Sequence, residues 1–187
     1  MKKILLIVLF LSLSCSVGYA QSMTFLNIPM GTSISSFKQK LLAKKGFKSH
    51  PLPYENIYGV EGSFAGMQAA FSIETTPKSK LVYSVLVSFS SFNYYTNDYN
   101  ANQKQKTQEN LYEDIRLRLI KKYGQPTRDT FSPNSEFLKW CYWELKNGRV
   151  DLMISQPADL GTYRRIQVIY EDSKTAQKRR REEDADW

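Results

Sequence analysis

Apolar and polar residues alternate in two rhythms along this chain, and the switches between them mark out its elements. Over residues 108–123 the apolar positions Leu111, Ile115 and Leu119 recur at helical spacing, flanked by Tyr112 and Tyr123. Glu109, Glu113 and Asp114 lie toward the start of this stretch and Lys121 and Lys122 in its last turn, as the helix dipole favours. Gly124 suits a left-handed position just past the helix, and Pro126 cannot continue it. A shorter stripe of Ile34, Phe37 and Leu41 predicts a helix over 33–45, with Thr32 or Ser33 as its cap and Gly46 at its exit.

Elsewhere the period is two. Residues 23–30 read as a short first strand ending at Pro29. Residues 57–64, 67–75 and 81–89 form three strand candidates in succession, and Met67, Ala69, Phe71 and Ile73 show the cleanest alternation. Residues 136–145 make an aromatic strand carrying Phe137, Trp140, Tyr142 and Trp143. Asn147-Gly148 predicts a type I′ hairpin with positive φ at both residues. Val150, Leu152 and Ile154 alternate on the returning strand, and Ile166, Val168 and Tyr170 on a last one over 163–170. Such meanders need no crossover, so the sheet should be antiparallel. The expectation is an α+β domain: two helices packed on antiparallel sheet, in the order β-(αβββ)-(αβββ). Its halves, about 32–90 and 107–172, share a plan more than a sequence. Residues 174–187 combine Lys178-Arg-Arg-Arg181 with Glu182-Glu183-Asp184, which predicts a charged, solvated tail, disordered or a frayed helix.

The start of the chain changes what is counted as domain. Lys2 and Lys3 precede an apolar run too short to span a bilayer, and Gly18-Tyr19-Ala20 offers small residues before a cut at Gln21. Residues 1–20 therefore read as a signal peptide and 21–173 as a single domain, which places the protein in the periplasm or outside the cell. Cys15 is a weak lipoprotein signal, because Ser12 stands where that pattern wants an aliphatic residue. The formal net charge of +8 falls to +6 once Lys2 and Lys3 leave with the leader. Cys141 then remains as a lone cysteine in an aromatic strand, read as a buried thiol, so no internal disulfide is available.

Taken together, Phe25-Leu-Asn-Ile-Pro-Met-Gly-Thr32, Lys45-Gly-Phe47, Gly62-Ser-Phe-Ala-Gly66, Lys122-Tyr-Gly-Gln-Pro126 and Val168-Ile-Tyr-Glu-Asp172 carry a resemblance. The chain resembles the small, functionally uncharacterised exported proteins of Bacteroides-type bacteria over about 23–172. That resemblance implies an exported α+β protein and brings no catalytic residues. The twin α-β-β-β plan also looks like the β-lactamase-inhibitor-protein architecture, whose tandem units use a sheet face to bind a partner; this is a likeness of plan only.

Candidate chemistry is sparse. His50 is the only histidine, in a proline-rich loop, so multi-histidine metal sites are excluded, and no cofactor is implied. Ser35 and Lys38 share the Ser-x-x-Lys spacing of penicillin-recognising enzymes, but the accompanying signatures are missing. Basic residues interleave with aromatics on the strands, yet an exported location argues against nucleic acid. Two aromatic groups stand out instead. Phe92, Tyr94, Tyr95 and Tyr99 sit among asparagines in a long connection, and Trp140 and Tyr142 stand in a strand whose rings fall on both faces. These six residues are the candidate binding site of a non-catalytic exported module for a protein or glycan partner. A small envelope hydrolase using Ser35 or His50, and a structural role in envelope assembly, are the alternatives.

Overall fold

The computed structural model describes residues 23–89, 101–131, 137–155 and 165–185. The chain opens on a tight hairpin, β1 (Thr24–Phe25) and β2 (Ile28–Pro29), where a single first strand was expected. Leu26 and Asn27 turn the chain with φ of 48° and 64°, the primed geometry that matches strand twist. This folds Phe25 into the core, where its ring meets those of Phe37, Phe64, Phe71 and Tyr170 at centroid distances of 5.1–6.5 Å. Helix α1 (Ile34–Leu42) follows, capped by Ser33, whose Oγ accepts from the Ser36 N–H.

Then come β3 (Lys48–His50), β4 (Ile57–Phe64), β5 (Met67–Thr75) and β6 (Val82–Phe89). Helix α2 (Ala101–Tyr123) starts seven residues earlier than the expected 108. It ends as expected, with Gly124 at φ 84° and its N–H bonded to the Ile120 carbonyl. β7 (Arg128–Phe131), β8 (Phe137–Leu145), β9 (Gly148–Ser155) and β10 (Arg165–Asp172) complete one eight-stranded antiparallel sheet. Its order is β3-β4-β5-β6-β10-β9-β8-β7, so each four-strand meander starts at an edge and runs inward to the central β6–β10 seam. The fold is α+β with a large antiparallel sheet.

One face of that sheet is the core. Val60, Phe71, Val85, Val168, Leu152, Cys141 and Trp143 all point to it, and Phe37 and Leu41 of α1 and Tyr112, Ile115 and Leu119 of α2 close over them. The edge strands β3 and β7, Lys-Ser-His and Arg-Asp-Thr-Phe, carry no apolar alternation in their sequences. Short polar edges of this kind discourage pairing with other chains.

Two corrections follow from local packing. Neither Asn147 nor Gly148 has positive φ, and the hairpin loop is Lys146-Asn147, with Leu145 opposite Gly148. Gly148 is needed inside the strand. A Cβ there would lie 2.2 Å from the Glu171 carbonyl oxygen and 2.4 Å from the Met23 sulfur.

Ser173–Asp184 is a third helix, α3, where two helices and a disordered terminus were expected. Asp172 caps it, accepting from the Thr175 N–H at 2.9 Å and the Thr175 hydroxyl at 2.7 Å. The helix lies against β6, β10 and β9 on the face that α1 and α2 leave open. Ala176 and Thr175 are buried, and Arg179 stacks on the Tyr83 ring at 5.0 Å.

Polar contacts anchor the far end of α3. Glu182 accepts from the Lys78 and Ser79 N–H groups at 2.8 and 3.1 Å, and from the Ser79 hydroxyl. Burial alone pushes the Glu182 carboxyl up, but these hydrogen bonds outweigh it and hold its pKa below the ordinary value. A depressed carboxylate contributes stability above its unfolded pKa of about 4.3 and loses it as pH falls through the folded value. Amide hydrogen exchange of α3 should therefore accelerate as pH is lowered from about 5 to 3, after correction for intrinsic rates. In Glu182→Gln that acid-dependent component should be missing, and α3 should already be less protected at pH 7. Identical pH dependence in the two proteins would contradict the anchor.

Candidate site on the open sheet face

Strand register decides which side chains share the open face. Leu145 opposite Gly148 sets Tyr142 opposite Asp151 and Trp140 opposite Met153. On the next strand Asp151 faces Ile169 and Arg149 faces Glu171. The type I′ turn expected at Asn147-Gly148 would have shifted this pairing by two residues, keeping the faces but separating Tyr142 from Asp151. The observed register builds a compact group of Trp140, Tyr142, Arg149 and Asp151.

Asp151 is the hub of that group and is 8% exposed. One of its oxygens accepts from Trp140 Nε1 at 2.9 Å and from an Arg149 terminal nitrogen at 2.7 Å, and the other from Arg149 Nε at 2.8 Å. This is a bidentate pair, the strong form of the arginine–carboxylate contact. The hydrogen bond to Asp151 raises the Arg149 pKa against the opposing effect of burial, so the guanidinium stays charged. Its plane lies 4.1 Å from the Tyr142 ring centroid and 5.5 Å from that of Trp140. The two rings are themselves 5.0 Å apart, and Arg128 approaches Trp140 from β7. Each ring is half-buried: braced from below, with part of its surface left to solvent.

Beside this group opens a cleft of about 540 Å³, lined by Trp140, Arg149, Asp151, Met153, Ile169, Glu171 and Arg180. Met153 and Ile169 give it an apolar floor. Arg180 comes from α3, so the helix forms one wall. That volume is within the range of small-ligand sites.

Of the six residues expected to bind, Trp140 and Tyr142 are together on the open face, while Trp143 turns into the core and donates to the Gly124 carbonyl at 2.8 Å. Phe92, Tyr94, Tyr95 and Tyr99 lie outside the described residues. Arg149, Asp151, Glu171 and Arg180 went unrecognised in the sequence. Arg149 and Asp151 were legible in principle, since both alternate with the core positions Val150 and Leu152.

The other candidate groups lie apart. His50 is on edge strand β3, with Nδ1 3.2 Å from Glu61. Cys141 faces the core of β8, where burial raises its pKa and the Tyr112 hydroxyl donates to its sulfur at 3.4 Å. Ser35 is exposed on α1, and Lys38 lies over the Tyr58 ring at 5.5 Å. No group of metal-ligating side chains is found among the described residues. No family model, no curated protein and no solved structure matches this chain.

Removing the hub isolates the test of this geometry. Asp151→Ala leaves Arg149 without its bidentate partner and the Trp140 N–H without an acceptor. It should cost about 2–3 kcal/mol in urea unfolding, less than a fully buried pair because Arg149 is one-third exposed. A loss below about 0.5 kcal/mol would place the group among ordinary surface contacts.

Proposed function

We propose that the chain is a non-catalytic, exported binding module that engages its partner through the sheet face left open by α1 and α2. The observation that carries this reading is the braced pair of half-exposed rings, Trp140 and Tyr142, beside a cleft with polar walls. Aromatic surface held rigid by a part-buried ion pair loses little conformational entropy on binding. Its cost in desolvated charge brings no obvious gain in stability, since such pairs are often no better than apolar packing.

The cleft favours a glycan over a protein. Its volume of about 540 Å³ is that of a small-ligand site, with seven lining residues where a protein interface takes about 20–30 a side. A ring face flanked by Arg149, Asp151, Glu171 and Arg180 offers both a stacking surface and the donors and acceptors that hydroxyl groups need. The Phe92–Tyr99 segment, which follows β6 in the chain, is part of the proposed surface by composition alone. The plan-level likeness to β-lactamase-inhibitor-type proteins, and our reading of the chain as two α-β units, point to the same use of a sheet face, as analogy. A hydrolase draws less support, because Ser35, His50 and Cys141 are on different elements and different faces.

Titration of the mature protein with polysaccharides extracted from an envelope fraction, followed by tryptophan fluorescence and calorimetry, tests the reading. Trp140→Ala should weaken binding at least about tenfold, a loss of about 1.4 kcal/mol or more. Thermal unfolding measured in parallel separates lost contact from lost fold. Equal affinity in a folded Trp140→Ala protein would overturn the site. Retention of a protein partner that survives glycosidase treatment would overturn the glycan assignment.

A further inference from the structure

The opposite side of the molecule carries a second cleft, of about 460 Å³, between α1, α2 and the tips of the β1–β2 and β4–β5 hairpins. Its floor is apolar, with Phe47, Ile115 and Leu119. Its rim carries Lys44 from the turn just past α1 and Arg118 and Lys122 from the end of α2. No carboxylate is among its lining residues. Both helices present their C-terminal ends here, and that end of a helix dipole disfavours an anion. Three full positive charges reverse the sign. Arg118 is paired with Asp114 at 3.0 Å, but both side chains are about half exposed, so the pair is weak and exchangeable. Lys44 and Lys122 form no ion pair among the described residues; Lys122 lies over the Tyr123 ring at 4.8 Å.

We propose that this cleft binds a free anionic amphiphile: one apolar chain or ring system bearing a single carboxylate. The apolar body would lie on Phe47, Ile115 and Leu119, and the carboxylate would meet the lysines at the rim. The two walls of opposite character are what such a ligand requires, and the volume is that of a small-molecule site. A neutral apolar ligand would leave the lysines unused. A purely ionic one, such as phosphate, would gain nothing from the floor. This site is on the helical side of the sheet and does not depend on the reading of the open face.

Dodecanoate is a suitable probe, titrated calorimetrically into the full mature chain below its micelle concentration. Dodecanol, dodecyltrimethylammonium and inorganic phosphate serve as comparison ligands, and phosphatidylglycerol vesicles as the membrane arm. Saturable dodecanoate binding is expected, at least about tenfold tighter than dodecyltrimethylammonium or phosphate. Lys44→Glu/Lys122→Glu should weaken dodecanoate by a similar factor. Lys40→Glu/Lys121→Glu, which makes the same charge change on the same two helices outside the cleft, should leave it within about twofold. If the double glutamate variant fails to fold by circular dichroism, Lys44→Gln/Lys122→Gln replaces it, with a loss of about fivefold expected. Equal loss in both charge-matched variants would overturn the site, as would equal affinity for dodecanol or cationic amphiphile. Binding to vesicles without binding of free dodecanoate would also overturn it.

Discussion

The carboxylate of Asp172 holds three segments of this protein together. It stands at the end of β10, 2% exposed, and its two oxygens serve different partners. One accepts from the Met23 N–H at 3.0 Å and fixes the start of the β1–β2 hairpin. The other caps α3 through Thr175. Space for this junction is kept by glycines. A Cβ on Gly31 would lie 2.8 Å from the Thr175 hydroxyl, and one on Gly148 would strike the Glu171 carbonyl. A charge-assisted cap of this kind contributes about 1–2 kcal/mol, and removing a buried acceptor that serves several donors costs more.

Such an anchor matters because α3 has almost no apolar face. Ala176 is its one hydrophobic residue, and the rest of the helix is polar or charged. Pairs such as Arg179–Glu183 at 2.8 Å add only a few tenths of a kcal/mol each. The helix therefore stays on the sheet because its ends are fixed, at Asp172 and at Glu182, and Arg179 covers Tyr83 between them. Its position divides the open face. Without it, Trp140, Arg149 and Asp151 would lie on a flat sheet; with it, Arg180 makes a wall and the surface becomes a cleft. The two faces thus present different chemistry: balanced charge around aromatic rings on one, unbalanced positive charge around an apolar floor on the other.

The elements that pack the core could be read from the sequence because burial imposes periodicity. Ile57–Phe64 and Met67–Thr75 are found at the expected residues, as is the glycine exit of α2, whereas α1 ends at Leu42 with Ala43 as its cap, short of the expected Gly46. What escaped was held by contacts without a periodic signature. Helix α3 depends on a cap and on polar anchors from distant turns, and a run of charges hides both. β3 and β7 are edges whose polarity is their protection. Gly148 was rightly singled out and wrongly explained, since close approach and positive φ both select glycine and only the fold separates them. Trp140 and Tyr142 could be named as candidates from alternation, but their partner Asp151 required the register, and Arg180 required the helix.

The most direct test of the account is hydrogen exchange followed by mass spectrometry on the chain from residue 21 onward, wild type against Asp172→Ala. If the Asp172 carboxylate holds α3 on the sheet, peptides from residues 173–185 are protected in the wild type at pH 7. In the variant they lose that protection, while peptides from β9 and the centre of β10 keep theirs. An α3 that is unprotected in the wild type, or equally protected in Asp172→Ala, would contradict the account.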